Sequence, residues 1–178
     1  MKRVLVALAV LLAGCTLPGR AHPSPLPAGV GTIVRPIDGD TVVVRLGGQD
    51  EHVRFIGIDT PESVSQQVPV ECYGPEAKHR TAQLLPPGTR VRLERDEEAR
   101  DKYGRLLAYV YLDADGTFVN LLLVQEGFAD SFPFPPNTAH QADFDAAMAE
   151  AKAQHTGLWP ACGGTDTPQG QAPVASSG

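Results

Sequence analysis

The chain has 178 residues, of which 42% are hydrophobic and 20% are charged, and this balance fits one globular domain with tails. Its formal net charge is −6, and loss of an N-terminal segment carrying Lys2 and Arg3 would lower the 15 basic residues to 13, against 21 acidic ones. Such a charge excludes binding of nucleic acid through the overall field of the protein, so any phosphate chemistry requires a local cationic site.

The N-terminus has the pattern of an export signal. Lys2 and Arg3 precede an apolar run over residues 4–12, which is too short to span a bilayer. The sequence Leu12-Ala13-Gly14-Cys15 resembles the bacterial lipobox, after which Cys15 becomes the lipidated first residue. The alternative is an ordinary secretion signal cleaved nearby. We expect a signal peptide over residues 1–14, a lipid anchor at Cys15, and a location in the cell envelope or outside the cell.

Two further segments lie outside the expected fold. Residues 15–28 are rich in proline, which cannot pair within a sheet and favours extended chain, so they predict a tether. From residue 163 onward the sequence is mostly Gly, Thr, Pro, Gln and Ser, which predicts a disordered tail over residues 163–178. The folded domain is expected over residues 29–162, as a monomer.

The elements between these tails predict a small barrel. Asp38-Gly39-Asp40 separates two β-branched runs, and Asp-Gly in that place is a strong hairpin signal. The expected strands cover residues 31–37, 41–46, 51–58, 89–93 and 106–112. The expected helices run from Pro75 to about Leu85, over residues 119–127, and from an N-cap at Thr138 to about His155. The order predicts an α+β fold, a five-stranded oligonucleotide-binding (OB) barrel with about three helices.

Cys72 and Cys162 predict a disulfide. If Cys15 carries lipid, these two cysteines remain as a pair in an oxidising compartment, where a disulfide is the usual outcome. The bond would tie the loop after the third strand to the end of the domain. Two unrelated buried thiols are the alternative.

Three charged segments carry metal-ligand chemistry when they are taken together: residues 37–41, 54–62 and 101–105. Asp40 and Asp59 offer hard oxygen ligands, and the backbone carbonyl of Thr60 could complete the protein's share. Such a set suits Ca²⁺ or Mg²⁺ with water in the remaining positions, and does not suit zinc.

The same segments carry cations and a base suited to phosphodiester cleavage. Arg54 and Arg105 are fork-shaped cations that match phosphate oxygens, and Glu62 could orient or deprotonate a water. One divalent ion, two guanidiniums and one carboxylate are what in-line attack on a phosphodiester requires. Taken separately, the segments have simpler explanations as a hairpin, a surface strand end and a plain turn.

Six stretches also form a pattern that is known from one family: residues 37–41, 54–62, 73–77, 101–109, 119–120 and 157–159. On these stretches the chain resembles the staphylococcal nuclease family, from about Val30 to Trp159. The resemblance implies an OB-type barrel and Ca²⁺-dependent cleavage of DNA and RNA that leaves 3′-phosphate products. It implies calcium ligands at Asp40, Asp59 and the Thr60 carbonyl, and catalytic roles for Arg54, Glu62 and Arg105.

The resemblance also implies substrate contacts. Lys102 and Tyr103 fall on positions that contact a nucleotide phosphate. Phe132 and Phe134 stand where the best-known member has two tyrosines, so they keep a face for base stacking and lose the hydroxyls. Packing of a Pro-rich connector is the alternative reading of these two phenylalanines.

Two other classes of function share part of this pattern with a nuclease. A non-catalytic OB-fold module that only binds nucleic acid would be indicated by substitutions at Arg54, Glu62 or Arg105, and there are none. A structural lipoprotein braced by calcium does not explain the two arginines. The acidic run over residues 96–98 is expected to be a solvated loop, with a second metal site as its alternative.

Overall fold

The computed structural model of the protein describes residues 27–63 and 69–170. The strands are β1 (Pro27–Pro36), β2 (Thr41–Leu46), β3 (Gln49–Phe55), β4 (Ile58–Asp59), β5 (Arg90–Glu94), β6 (Leu106–Leu112) and β7 (Asp130–Ser131). The helices are α1 (Gly74–Leu84), α2 (Val119–Gln125), α3 (Gln141–Ala153) and α4 (Leu158–Cys162). No helix in these two ranges is long and apolar enough to cross a membrane.

Five strands close a barrel in the order β1-β2-β3-β6-β5. The barrel pairs are antiparallel except β3 and β6, which run parallel and place Arg54 opposite Leu107. The predicted α+β fold with a five-stranded OB barrel is confirmed. The described ranges contain four helices where about three were expected, because α4 is only five residues long and its sequence shows no helical period.

The predicted strand over residues 51–58 is wrong at its end. Gly57 adopts a φ of 80°, a left-handed conformation that breaks the ladder after Phe55. The chain then turns, and β4 pairs with β7 in a separate two-stranded sheet. This turn is what carries the residues after Gly57 back towards the end of β3.

The core fills the barrel and continues under the helices. Residues 106–110 of β6 are all buried, because one face of this strand points into the barrel and α2 covers the other. Asn120 of α2 is fully buried, accepts a hydrogen bond from the Val110 amide at 2.9 Å and donates one to the Ile56 carbonyl at 2.9 Å. It therefore fixes α2 to both β6 and the turn that precedes β4.

The ends of α3 and of the domain differ from the prediction. Helix α3 starts after His140 and not after Thr138, because residues 138–141 first form a turn in which the Gln141 amide donates to the Thr138 carbonyl at 3.1 Å. β1 begins at Pro27, two residues before the expected start of the domain.

The C-terminal end is anchored to the middle of the chain. Cys72 and Cys162 form a disulfide with a Cα–Cα distance of 5.9 Å. Residues 163–170, expected to belong to the disordered tail, continue past this bond, and Pro168 pairs with Glu71. The expected signal peptide over residues 1–14, the expected lipidation of Cys15, most of the predicted tether and the predicted tail beyond residue 170 lie outside the described residues.

Candidate active site

Arg54 is the centre of the site. The guanidinium lies near the end of β3, is 8% exposed and faces two carboxylates. Its Nη1 lies 3.0 Å from Asp40 Oδ2, and its Nη2 donates to Asp59 Oδ1 at 2.7 Å. Nη1 also donates to the Ile58 carbonyl at 2.9 Å. Pairing of Thr41 with Arg54 brings Asp40 to this place, and the turn at Gly57 brings Asp59.

Thr60 joins the two acidic segments. Its amide and its hydroxyl each donate to Asp40 Oδ2 at 3.1 Å. Gly39 packs so closely on Thr60 that a Cβ at this glycine would collide with the threonine side chain. The Gly39 carbonyl in turn accepts a hydrogen bond from the Thr81 hydroxyl of α1 at 2.5 Å. The Asp40 loop is therefore held from both sides, which fixes the carboxylate relative to Arg54.

The charge balance at Arg54 is negative. Burial raises the pKa of the Asp59 carboxyl to about 7, against the opposing attraction of Arg54. The negative charges of Asp40, Asp166 and Glu71 raise it further. One guanidinium thus faces more carboxylate charge than it can neutralise.

The donor set at this place fits a hard divalent cation. Within residues 27–63 and 69–170, no group of three or more His, Cys, Asp or Glu side chains is placed to hold a metal ion, so a cation here would have only two side-chain ligands. Asp40, Asp59 and the Thr60 carbonyl offer oxygen donors, which suit Ca²⁺ or Mg²⁺ with water completing the coordination. The surplus negative charge around Arg54 also favours binding of a cation electrostatically.

Glu62 shares a hydrogen bond with Asp38, a residue that was predicted only as part of the hairpin turn. Burial, and then the hydrogen bond with Glu62, raise the pKa of the Asp38 carboxyl to about 6. Asp38 Oδ1 also accepts the Ser63 hydroxyl at 2.5 Å and the Gly39 amide at 2.9 Å, and both bonds lower that pKa. The Asp38 carboxyl therefore takes up a proton at a higher pH than an ordinary aspartate does.

Asp101 organises the loop that carries Arg105. Its Oδ1 accepts the amides of Tyr103 and Arg105, both at 2.9 Å, and its Oδ2 accepts Arg105 Nε at 2.7 Å. Burial is the largest single effect and raises the pKa of Asp101, but the hydrogen bonds and charge of Arg105 and the Tyr103 amide together outweigh it, so this pKa is lowered. β6 begins at the next residue, where Leu106 pairs with Val53, so Arg105 lies beside β3.

The predicted substrate residues differ in exposure. Tyr103 is 73% exposed, and Lys102 Nζ lies 5.0 Å from the centre of its ring. Phe132 is 46% exposed, and its amide donates to the Gly57 carbonyl at 2.9 Å, beside the site. Phe134, by contrast, packs against the hydrophobic core, which favours the connector reading for this residue.

Three acidic residues near the site were missed. Asp38 was explained by its hairpin turn, Glu71 was not singled out, and Asp166 lay in the expected tail. A signal for Glu71 and Asp166 existed in their closeness to Cys72 and Cys162. Asp96 also differs from a solvated loop residue, because its Oδ2 accepts the Tyr109 hydroxyl at 2.8 Å.

Comparison with known proteins gives concordant matches. The sequence model of a family described as Staphylococcal nuclease homologue matches residues 52–161. The chain is 45% identical over 127 residues to the Thermonuclease of Staphylococcus intermedius, covering 71% of this chain and 74% of that protein. It is 39% identical over 127 residues to the Thermonuclease of Staphylococcus hyicus, covering 71% and 73%. It is 40% identical over 130 residues to Endonuclease YncB of Bacillus subtilis, covering 72% and 60%.

Proposed function

Because this chain belongs to the staphylococcal nuclease family and is a nuclease, we propose that it hydrolyses DNA and RNA in a Ca²⁺-dependent reaction leaving 3′-phosphate ends. The observation that carries the proposal is the convergence of Asp40 and Asp59 on Arg54. A purely structural ion pair needs one carboxylate for one guanidinium. The second carboxylate, together with the Thr60 carbonyl, supports a site for a cation.

In this proposal Asp40, Asp59 and the Thr60 carbonyl would hold Ca²⁺, which when bound would offset negative charge on the phosphate and promote ionisation of a water. Arg54, oriented by its ion pairs with Asp40 and Asp59, offers its guanidinium to a phosphate oxygen of the substrate. Arg105, held by Asp101, approaches from the neighbouring loop. Two fixed guanidiniums favour the transition state because negative charge on the phosphoryl oxygens grows as the nucleophile attacks.

Glu62 acts as the general base. Its carboxylate takes a proton from the attacking water, whose oxygen forms a new bond to phosphorus. The bond from phosphorus to the 5′-oxygen breaks in line, and that oxygen takes a proton from solvent to become a 5′-hydroxyl. The phosphate remains on the 3′-oxygen. Tyr103 and Lys102 contact the substrate phosphate in this scheme, and exposed Phe132 offers a face on which a base can stack.

The test uses protein that begins after residue 15, assayed on single-stranded DNA and on RNA with Ca²⁺, with Mg²⁺ and with chelator. We expect cleavage with Ca²⁺ that leaves 3′-phosphate ends. Glu62→Gln removes the general base, and Arg105→Lys removes the planar guanidinium that can donate to two phosphate oxygens at once. Each variant should therefore reduce kcat by about 10²–10⁴-fold. Arg90→Lys is the matched control, since Arg90 is a 68% exposed arginine paired with Asp113.

The opposite result is equally clear. Folded protein that binds nucleic acid and calcium without cleaving would assign the chain to the non-catalytic binding modules. Cleavage that survives Glu62→Gln with kcat unchanged would remove Glu62 from the mechanism. Cleavage in chelator would overturn the calcium requirement.

Export and anchoring form part of the proposal. The pattern around Cys15 supports tethering of the nuclease to the cell envelope by a lipid. Mass spectrometry of the membrane fraction should find Cys15 as a lipidated N-terminal residue, and Cys15→Ser should release the protein from that fraction. A mature N-terminus that lacks Cys15 would replace the anchor with ordinary secretion.

A further inference from the structure

Glu71 holds the backbone of Glu62 through two hydrogen bonds. The Glu62 amide donates to Glu71 Oε2 at 2.7 Å, and the Glu71 amide donates to the Glu62 carbonyl at 2.8 Å. Gly74 packs on the same carbonyl so tightly that a Cβ would collide with it. The backbone that carries the proposed base is therefore fixed by residues that follow it by nine and twelve positions.

Glu71 is in turn held by the C-terminal strap, which we define as residues 163–170. The Cys72 amide donates to the Thr167 carbonyl at 2.7 Å, and the Gln169 amide donates to the Val70 carbonyl at 3.2 Å. Between these two bonds, Glu71 forms a β-bridge with Pro168. The strap thus lies as a short antiparallel partner along residues 70–72.

The disulfide fixes both partners of this pairing. Cys72 follows Glu71 directly, and Cys162 is the buried last residue of α4, immediately before the strap. The Thr167 hydroxyl donates to the Cys162 carbonyl at 3.2 Å and folds the strap back towards the bond. A continuous set of contacts therefore leads from α4 through the disulfide and the strap to Glu71, and from there to Glu62.

We infer that Glu71 is a positioning residue for Glu62, and that the Cys72–Cys162 disulfide and the C-terminal strap hold Glu71 in place. The inference rests on the proposed function in so far as Glu62 is the general base. In this inference Glu71 positions Glu62 through the hydrogen-bond acceptor Oε2, and the negative charge of Glu71 is not required. A small displacement of a base from its attacking water can lower the rate by about 10²-fold, so loss of this acceptor acts on the chemical step.

Two substitutions separate the acceptor from the charge. Glu71→Gln keeps a side-chain oxygen acceptor and removes the charge, whereas Glu71→Ala removes both. We expect Glu71→Gln to keep kcat within about threefold of the wild type and Glu71→Ala to lower it by about 10–100-fold, with KM changed less than about threefold in both. An equal loss of kcat in the two variants would show that Glu71 acts through its negative charge, which affects Asp59, and would overturn the inference.

The disulfide is tested with the double variant Cys72→Ser, Cys162→Ser, assayed well below its unfolding temperature as followed by circular dichroism. We expect kcat to fall by about tenfold while KM stays within about threefold. A parallel loss in kcat and substrate affinity would indicate general loosening of the site, and unchanged kcat would remove the disulfide from the positioning contacts.

Hydrogen exchange at the Glu62 amide provides a readout that needs neither calcium nor turnover. Protection of this amide should fall roughly tenfold in Glu71→Ala and in the cysteine variant, and should be kept in Glu71→Gln. Unchanged protection in Glu71→Ala would overturn the inference whatever the activity. A wild type that does not cleave would overturn the proposed function, and amide exchange would still decide whether Glu71 positions Glu62.

Discussion

Asp59 has an environment that favours its protonated form when no cation is bound. Burial raises the pKa of this carboxyl to about 7 in the folded protein, whereas its ordinary value is 3.8. The folded state therefore binds more protons than the unfolded chain between about pH 4 and pH 7, and stability falls as pH rises through this window. Asp38, with a pKa raised to about 6, contributes in the same direction.

We predict that the protein in chelator is more stable at pH 5.5 than at pH 7.5. The difference should be about 1–2 kcal/mol, an amount reduced by solvent at the partly exposed Asp59 side chain. Thermal unfolding of wild type and Asp59→Asn measures it, and the variant should lose most of the dependence. Stability that rises over this pH window in the wild type would contradict the environment described for Asp59.

The sequence motifs predicted which residues lie in the candidate site. They did not predict the contacts that residues from distant parts of the chain make with it. Asp40, Arg54 and Asp59 lie together as the spacing suggested, while their roles remain predictions. Glu71 and Asp166 could not be assigned from motifs, because the predicted Cys72–Cys162 bond brings their segments together without showing that their carboxylates act on Asp59. Phe134 was ambiguous for a different reason. An aromatic residue in a connector can either pack against the protein core or stack on a nucleic-acid base, and the sequence does not distinguish the two.

At the level of elements, two glycines join the end of α2 to the start of α4. Gly127 has a φ of 68°, and a Cβ there would collide with the Thr156 carbonyl. Gly157 has a φ of 61°, and the amide of the next residue donates to the Gly127 carbonyl at 2.8 Å. The backbone segments approach so closely that neither position has space for a side chain.

We predict that Gly127→Ala lowers the free energy of unfolding by about 3 kcal/mol, through both left-handed strain and backbone collision. Gly116→Ala is the matched control, because Gly116 has a φ of 76° and open space around it. This control should cost only about 1 kcal/mol. Chemical denaturation measures both, and equal losses would show that conformation, not close approach, determines the cost at Gly127.

Elements were predictable where composition differs sharply along the chain. β-branched runs gave the barrel strands, and a proline in the first turn gave the start of α1. The break between β3 and β4 was hidden, because Gly57 sits within an otherwise apolar strand pattern. Helix α4 was hidden as well, since five residues that include Pro160 are too few to show a period.

The whole molecule carries a formal charge of −6, so nucleic acid is attracted by a few cations and not by the surface as a whole. If Arg54, Lys102 and Arg105 are the phosphate contacts, log K should fall with log salt with a slope of about −2 on single strands. Binding by Glu62→Gln can be titrated without turnover, and Lys102→Ala should flatten the slope by about 0.7. A slope steeper than about −4 would reveal a further cationic surface.

The position of the disulfide divides the described chain into three topological parts. Residues 72–162 lie in a covalent macrocycle that contains Arg105 and all four described helices, and the C-terminal strap follows it as a short linear segment. The linear arm before the macrocycle, described over residues 27–63 and 69–71, carries Asp40, Arg54, Asp59 and Glu62. The barrel ladders that join arm and macrocycle are β1 with β5 and β3 with β6. Opening these ladders would dismantle the active site while the disulfide and the helices stay in place, so activity should be lost before the helical signal.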